Sequence, residues 1–204
     1  TNTTGQFNVA AGYKALQLNV DGDGQVAIGY EALMTSEPAD GLTYNVAVGY
    51  QAGKAVTTGV HNTLIGGLAG DAITTGVSNT FLGKGAGSST TTTDNNTGVG
   101  RDALFTNTTG SQNTSVGTAS MYYTTTGVQN AAVGNNALDA NTTGGTNVAM
   151  GYRAMFDNTT GSQNVAVGTL SLSNNTTAGD NVAIGHGALE ANTTGNTNVA
   201  VGAC

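Results

Sequence analysis

Polar and apolar residues alternate along this chain in a short motif that returns at one fixed interval. The motif is plainest from Asn147, where NVAMGYRAMFDNTTGSQ is followed at Asn164 by NVAVGTLSLSNNTTAGD and at Asn181 by NVAIGHGALEANTTGNT. Twelve copies open at Asn8, Gln25, Asn45, Asn62, Asn79, Asn96, Asn113, Asn130, Asn147, Asn164, Asn181 and Asn198. The step is 17 residues throughout, except for 20 between Gln25 and Asn45. One register held over this many copies marks a stacked repeat, in which each unit buries its apolar surface against its neighbours.

Numbered from the opening Asn, position 4 is apolar in every copy, position 2 is usually Val or Thr, and position 3 is usually Ala. This period-2 alternation predicts a short strand with positions 2 and 4 on one face. Positions 4 and 9 are expected to supply the large buried side chains, and the small position 3 to let another sheet approach closely. Position 5 is Gly in all copies, from Gly12 to Gly202, which points to positive φ or to an approach too close for a Cβ. N-T-T-G at positions 12 to 15, as in Asn141–Gly144, reads as a tight turn with its Thr pair at a second strand or its edge. Helical repeats need about twice this unit length, and a Gly on each side of the motif disfavours them.

The prediction is therefore an all-β chain, a parallel β-solenoid of twelve 17-residue coils forming one domain over residues 1–204. An irregular coil is expected at residues 35–44, where the insertion and the sole proline, Pro38, fall. With strands about 4.8 Å apart, the rod would be roughly 55 Å long. So thin and Ala-rich a coil is expected to bury further surface against other chains, as a homo-trimer or a head-to-tail filament joined through unpaired strand edges.

Composition narrows the function. A net charge of −7 with only five Lys and Arg argues against nucleic acid, which needs clustered cations. No apolar run reaches the roughly 20 residues of a membrane span. The chain has no initiating Met and no signal peptide, and both ends fall inside the repeat, so it reads as a processed product or a segment of something longer. Cys204, the single cysteine, has no partner for an internal disulfide. His61 and His186 occupy different repeat positions with no recurring nucleophile or acid beside them, so no catalytic or zinc constellation is visible.

The pentapeptides NVAVG (Asn45–Gly49, Asn164–Gly168, Asn198–Gly202) and NVAIG (Asn181–Gly185) resemble the head repeats of trimeric autotransporter adhesins, a repeat type also found in phage and viral tail fibres. The resemblance covers the whole chain as a repeat type. It departs in unit length, in the N-T-T-G turn, and in the absence of any recognisable anchor or stalk. It implies a left-handed β-roll, three chains side by side, and an extracellular place on a cell or virion surface. The expected function is a non-enzymatic structural or adhesive fibre segment. The alternatives are a tail-fibre receptor-binding shaft or an ice-binding solenoid, the latter suggested by Thr columns such as Thr125, Thr142, Thr159 and Thr176. Against ice binding, adjacent Thr residues on a strand would point to opposite faces.

Several residues are candidate sites. Tyr13, Tyr30 and Tyr50 share position 6 in consecutive copies. They form either an aromatic ladder for surface glycans or a cover for the coil corner. Asn19, Asp21 and Asp23 before Gly24 match the first half of a Ca²⁺ loop, although the closing Glu is one residue late at Glu31. Leu64 and Phe81 replace Ala at position 3, where they serve as an oligomer contact if that face points out, or as core filling if it points in. Asn2, Asn107, Asn141, Asn158 and Asn192 each open an N-T-T sequon and are glycan acceptors or turn residues according to the host.

Overall fold

The computed structural model describes residues 4–38 and 41–203. Twelve three-residue strands, from Val9–Ala11 to Val199–Val201, form one parallel sheet in strict chain order. Each strand pairs with its equivalent in the next coil, as Ala131↔Val148, Ala132↔Ala149 and Val133↔Met150. The chain is a β-solenoid of about eleven turns with no helix among the described residues, as the repeat predicts. The insertion adds a second small sheet, Gly22–Asp23 with Gly41–Leu42, and tucks Pro38 against Gly22.

The strand alternation holds, but its faces are reversed from the expectation. Position 3 points inward: Ala27, Ala47, Ala132, Ala149, Ala166 and Ala183 are fully buried. Position 4 points outward, leaving Ile28, Leu82, Val133, Met150 and Ile184 at least 40% exposed. The coil is too narrow to admit a branched side chain from every strand. Ala at position 3 fits beside Asn at position 1 and Ala at position 8, and Leu or Met at position 9 fills what remains.

This geometry decides Leu64 and Phe81, which are both fully buried and so do not serve as an oligomer contact. Position 3 and position 9 share one volume. Where Leu64 and Phe81 enlarge position 3, Gly53, Gly70 and Gly87 empty position 9. A Cβ on Gly87 would stand 2.3 Å from Phe81, and one on Gly70 would stand 2.7 Å from Leu64. Where position 3 is small, as at Ser115 and Ala132, position 9 returns to Met121 and Leu138.

The turns carry much of the strain. Positions 7, 9 and 17 adopt left-handed backbone even with large side chains, as at Arg153 (φ 53), Met155 (φ 53) and Gln163 (φ 62). Such a conformation costs an L-residue about 1–2 kcal/mol. It turns successive N–H groups up and down the axis, so that Arg153 N donates to Asn135 O in the preceding coil and Met155 N to Ser171 O in the following one. Position 5 needs Gly for a separate reason. A Cβ on Gly134 would lie 2.4 Å from the Gly151 carbonyl oxygen.

The opening Asn holds the coils in register. The side chains of Asn45, Asn62, Asn79, Asn96, Asn113, Asn130, Asn147, Asn164 and Asn181 are buried. Asn130 is representative: its Oδ1 accepts from Asn147 N at 2.9 Å and Asn147 Nδ2 at 3.1 Å, while its Nδ2 donates to Gly144 O and Asn113 Oδ1. All four bonding positions of the carboxamide are filled. Asn130→Ala would leave the Asn147 N–H and the Gly144 carbonyl without these buried partners, at about 1–3 kcal/mol each. Urea unfolding followed by circular dichroism should show a markedly lower midpoint for this variant, while replacing the exposed Thr143 should leave it unchanged.

Candidate interaction surfaces

The outside of the solenoid divides into three surfaces by chemistry. The first is the outer face of the long sheet, built from positions 2 and 4. No charged residue occurs at positions 1 to 5 of any coil. Val, Ile, Leu, Met and Thr therefore run the full length of the rod, half-buried or exposed, with no other part of the chain among the described residues packed over them as a second layer.

The second surface is the corner at positions 6 to 10, which holds all five cations: Lys14, Lys54, Lys84, Arg101 and Arg153. The predicted Tyr ladder is there. Tyr13, Tyr30 and Tyr50 are 62%, 41% and 55% exposed, with ring centroids 5.3 Å apart in each pair. Their faces cover one another, so their edges, rather than their stacked faces, meet solvent. Beneath them Glu31 accepts from Gln51 Nε2 at 2.9 Å and pairs with Lys54 Nζ at 2.8 Å, with Lys14 Nζ at 4.0 Å. The Lys54 and Gln51 bonds bring the Glu31 carboxyl down to about 2, against partial burial, which opposes the shift. Further along, Phe105 stacks on Tyr122 at 5.0 Å, and Arg153 lies over Phe156 at 4.1 Å. Burial raises the Asp139 carboxyl, although Asn136 Nδ2 donates to it.

The third surface is the Thr corner. Nine coils carry a Thr pair at positions 13 and 14, from Thr57–Thr58 to Thr193–Thr194. These residues form bends rather than a second strand, so the alternation of faces along a strand does not govern them. In the eight pairs from Thr57 to Thr176 the first hydroxyl donates to the carbonyl of its equivalent in the next coil, as Thr125 Oγ1 to Thr142 O at 3.1 Å. The second Thr, for example Thr126 or Thr143, is exposed.

The remaining candidate residues fall within the structural ladders. Asn19 is buried, donates to Gly22 O and accepts from Gln25 Nε2. Asp21 accepts from Thr4, and Asp23 from Gln6 N. The expected Ca²⁺ half-loop is thus split, with Asn19 turned into the coil and the two carboxylates tied to the preceding one. No group of three His, Cys, Asp or Glu among the described residues is placed to hold a metal ion. Asn107, Asn141 and Asn158 are fully buried, so the folded coil has no room for a glycan on them. Asn158 Nδ2 is bonded both to Asn141 Oδ1 and to Gly161 O, and the half-buried Asn192 makes the equivalent pair of bonds to Asn175 Oδ1 and Gly195 O. Asn2 and Cys204 lie outside the described residues.

The inner Asn column at position 12 was missed at the sequence level, although N-T-T-G recurring in register was a signal for it. No helix among the described residues is long and apolar enough to cross a membrane. Compared with known proteins, the chain matches no family model, no curated protein and no solved structure.

The Glu31 cluster has a pH signature. A carboxyl held below its ordinary value of 4.5 contributes stability above that pH and loses it as the pH falls toward about 2. Thermal melts between pH 5 and 2 should therefore show a decline that Glu31→Gln reduces, because the neutral amide cannot titrate.

Proposed function

We propose that the chain is a non-enzymatic structural segment of an extracellular fibre, on a cell or virion surface, whose copies associate side by side through the outer face of the long sheet. The observation that carries this reading is that face itself, uncharged and largely apolar over twelve strands. Contiguous apolar surface of this extent marks an interaction site. A second copy is the natural occupant, because an identical rod offers the same length, the same axial spacing and no charge to desolvate.

Three residues across and roughly 55 Å along, the face measures about 500 Å² in projection. A standard interface takes about 800 Å² from each partner. The adjoining flanks must therefore contribute, and a closed ring in which each chain meets two others supplies them. The likeness to trimeric adhesin heads supports three copies. End-to-end stacking is compatible with the same reading: a further coil on Val199–Val201 would place its opening N–H against Asn198 Oδ1.

The Thr corner supports a second reading, an ice-binding face. Both Thr columns reach solvent, they follow the coil spacing, and no charge interrupts positions 13 and 14 between Thr57 and Thr194.

Light scattering on the purified protein separates the two. The fibre reading expects a trimer or larger, and expects Val133→Lys with Val167→Lys to release monomers with an unchanged circular dichroism spectrum. A wild-type monomer at tens of micromolar that also produces thermal hysteresis would overturn it in favour of the Thr face.

A further inference from the structure

Position 6 forms a column of side chains along the outer corner, and that column is interrupted once beside the tyrosines. Tyr30 and Tyr50 stack with an interplanar angle of 10°, so Tyr30 covers one face of the Tyr50 ring. The other face looks along the axis toward the next coil, where position 6 is Gly67. A Cβ built on Gly67 would meet only the Tyr50 carbonyl oxygen, 4.0 Å away. Beyond the gap the column resumes with two cations, Lys84 and Arg101, whose side chains are 64% and 67% exposed. Both pair with Asp102, each at 3.7 Å, so two positive charges share one carboxylate. On the same corner, the Asp71 carboxylate accepts from Ser88 Oγ.

The gap has the dimensions of a ring. Tyr50 and Lys84 are two coils apart, about 9.5 Å along the axis. A ring laid on Tyr50 at the 5.3 Å spacing of the existing stack would leave about 4 Å to the level of Lys84, within reach of a charge-assisted hydrogen bond from its flexible ammonium. We infer that the Gly67 gap is a binding subsite for one pyranose ring of an acidic saccharide. The C–H groups of one sugar face, which carry partial positive charge, pack on the negative π face of Tyr50. The sugar carboxylate turns toward Lys84 and Arg101, two exposed cations that share the single Asp102 carboxylate, while the Asp71 carboxylate of the same corner is engaged by Ser88 Oγ. The gap opens to solvent on its outer side, so the hydroxyls on the ring edge keep their water. A planar aryl carboxylate would have no such hydroxyls to solvate and would gain nothing from that opening.

The experiment is saturation-transfer NMR on the full chain with trigalacturonate as probe, and with neutral galactotriose and benzoate as controls. Gly67→Tyr closes the gap by adding the missing ring. Position 6 takes Tyr in four other coils, and Gly67 has no positive φ, so the fold should be retained. Gly67→Thr, matching Thr118 and Thr169 at the same position, is the second variant should the first fold poorly. Trigalacturonate is expected to bind at millimolar concentration, to weaken at least tenfold in Gly67→Tyr with an unchanged melting temperature, and to weaken several-fold in Lys84→Gln. Absence of trigalacturonate binding, binding unchanged in the Gly67 variants, equal binding of galactotriose, or tighter binding of benzoate would each overturn the inference.

Discussion

A buried carboxamide at position 1 of nearly every coil is the constraint on which the rest of this structure depends. In the run from Asn45 to Asn181, each Asn takes the backbone N–H of the next Asn on its Oδ1. An amide group supplies two donors and two acceptor sites, and a solenoid interior offers one coil above and one below. No shorter or charged side chain meets that demand, because Ser reaches too few partners and Asp cannot donate. Gln25 shows what happens when the spacing changes. In the 20-residue coil, the longer side chain reaches across to Asn19 Oδ1 and receives Ser36 Oγ on its Oε1, closing the wider coil from inside.

Fixed polar ladders leave little freedom for the apolar interior, and so its volume is exchanged between positions 3 and 9. The exchange runs between coils as well as within them. Gly53 lies in the coil of Ala47, yet the Leu64 side chain from the following coil takes up its space. Packing in such a stack is a property of neighbouring pairs of coils, in keeping with nearest-neighbour coupling in repeat proteins. The same coupling explains how leucines such as Leu104 and Leu138 stay in left-handed backbone. Hydrogen bonds to the coils on either side and an inward-facing side chain together outweigh about 1–2 kcal/mol of local strain.

Fold class, repeat boundaries, strand positions and the Gly at position 5 were legible in the sequence, because each leaves a periodic mark. The direction of the strand faces was not. Alternation states that positions 2 and 4 differ from position 3, but the hydrophobicity of Val against Ala favours burying the wrong side. The deciding fact is the width of the interior, which comes from Asn at position 1 sharing the inner face with position 3. Once that is recognised, Leu64 and Phe81 read as core residues, and the glycines at position 9 beside them become the confirming signal. The inward direction of the sequon asparagines was hidden for a related reason: the polar letters of N-T-T-G suggest an exposed turn, whereas Asn141 and Asn158 point inward and only the threonines face out. The Tyr ladder was legible because it needed only the register.

With register fixed by the inner ladders, the outer residues are free to vary in chemistry without moving the backbone. Position 6 accepts Tyr, Gly, Lys, Arg, Thr, Asn and His in successive coils, while positions 1 and 5 barely change. The corner at positions 6 to 10 carries every cation and much of the aromatic content, the sheet face carries no charge, and the Thr corner is repetitive and neutral. The sheet face and the Thr columns thus repeat with the coil, whereas the corner around Tyr50, Gly67 and Lys84 changes its chemistry from one coil to the next on an unchanged backbone.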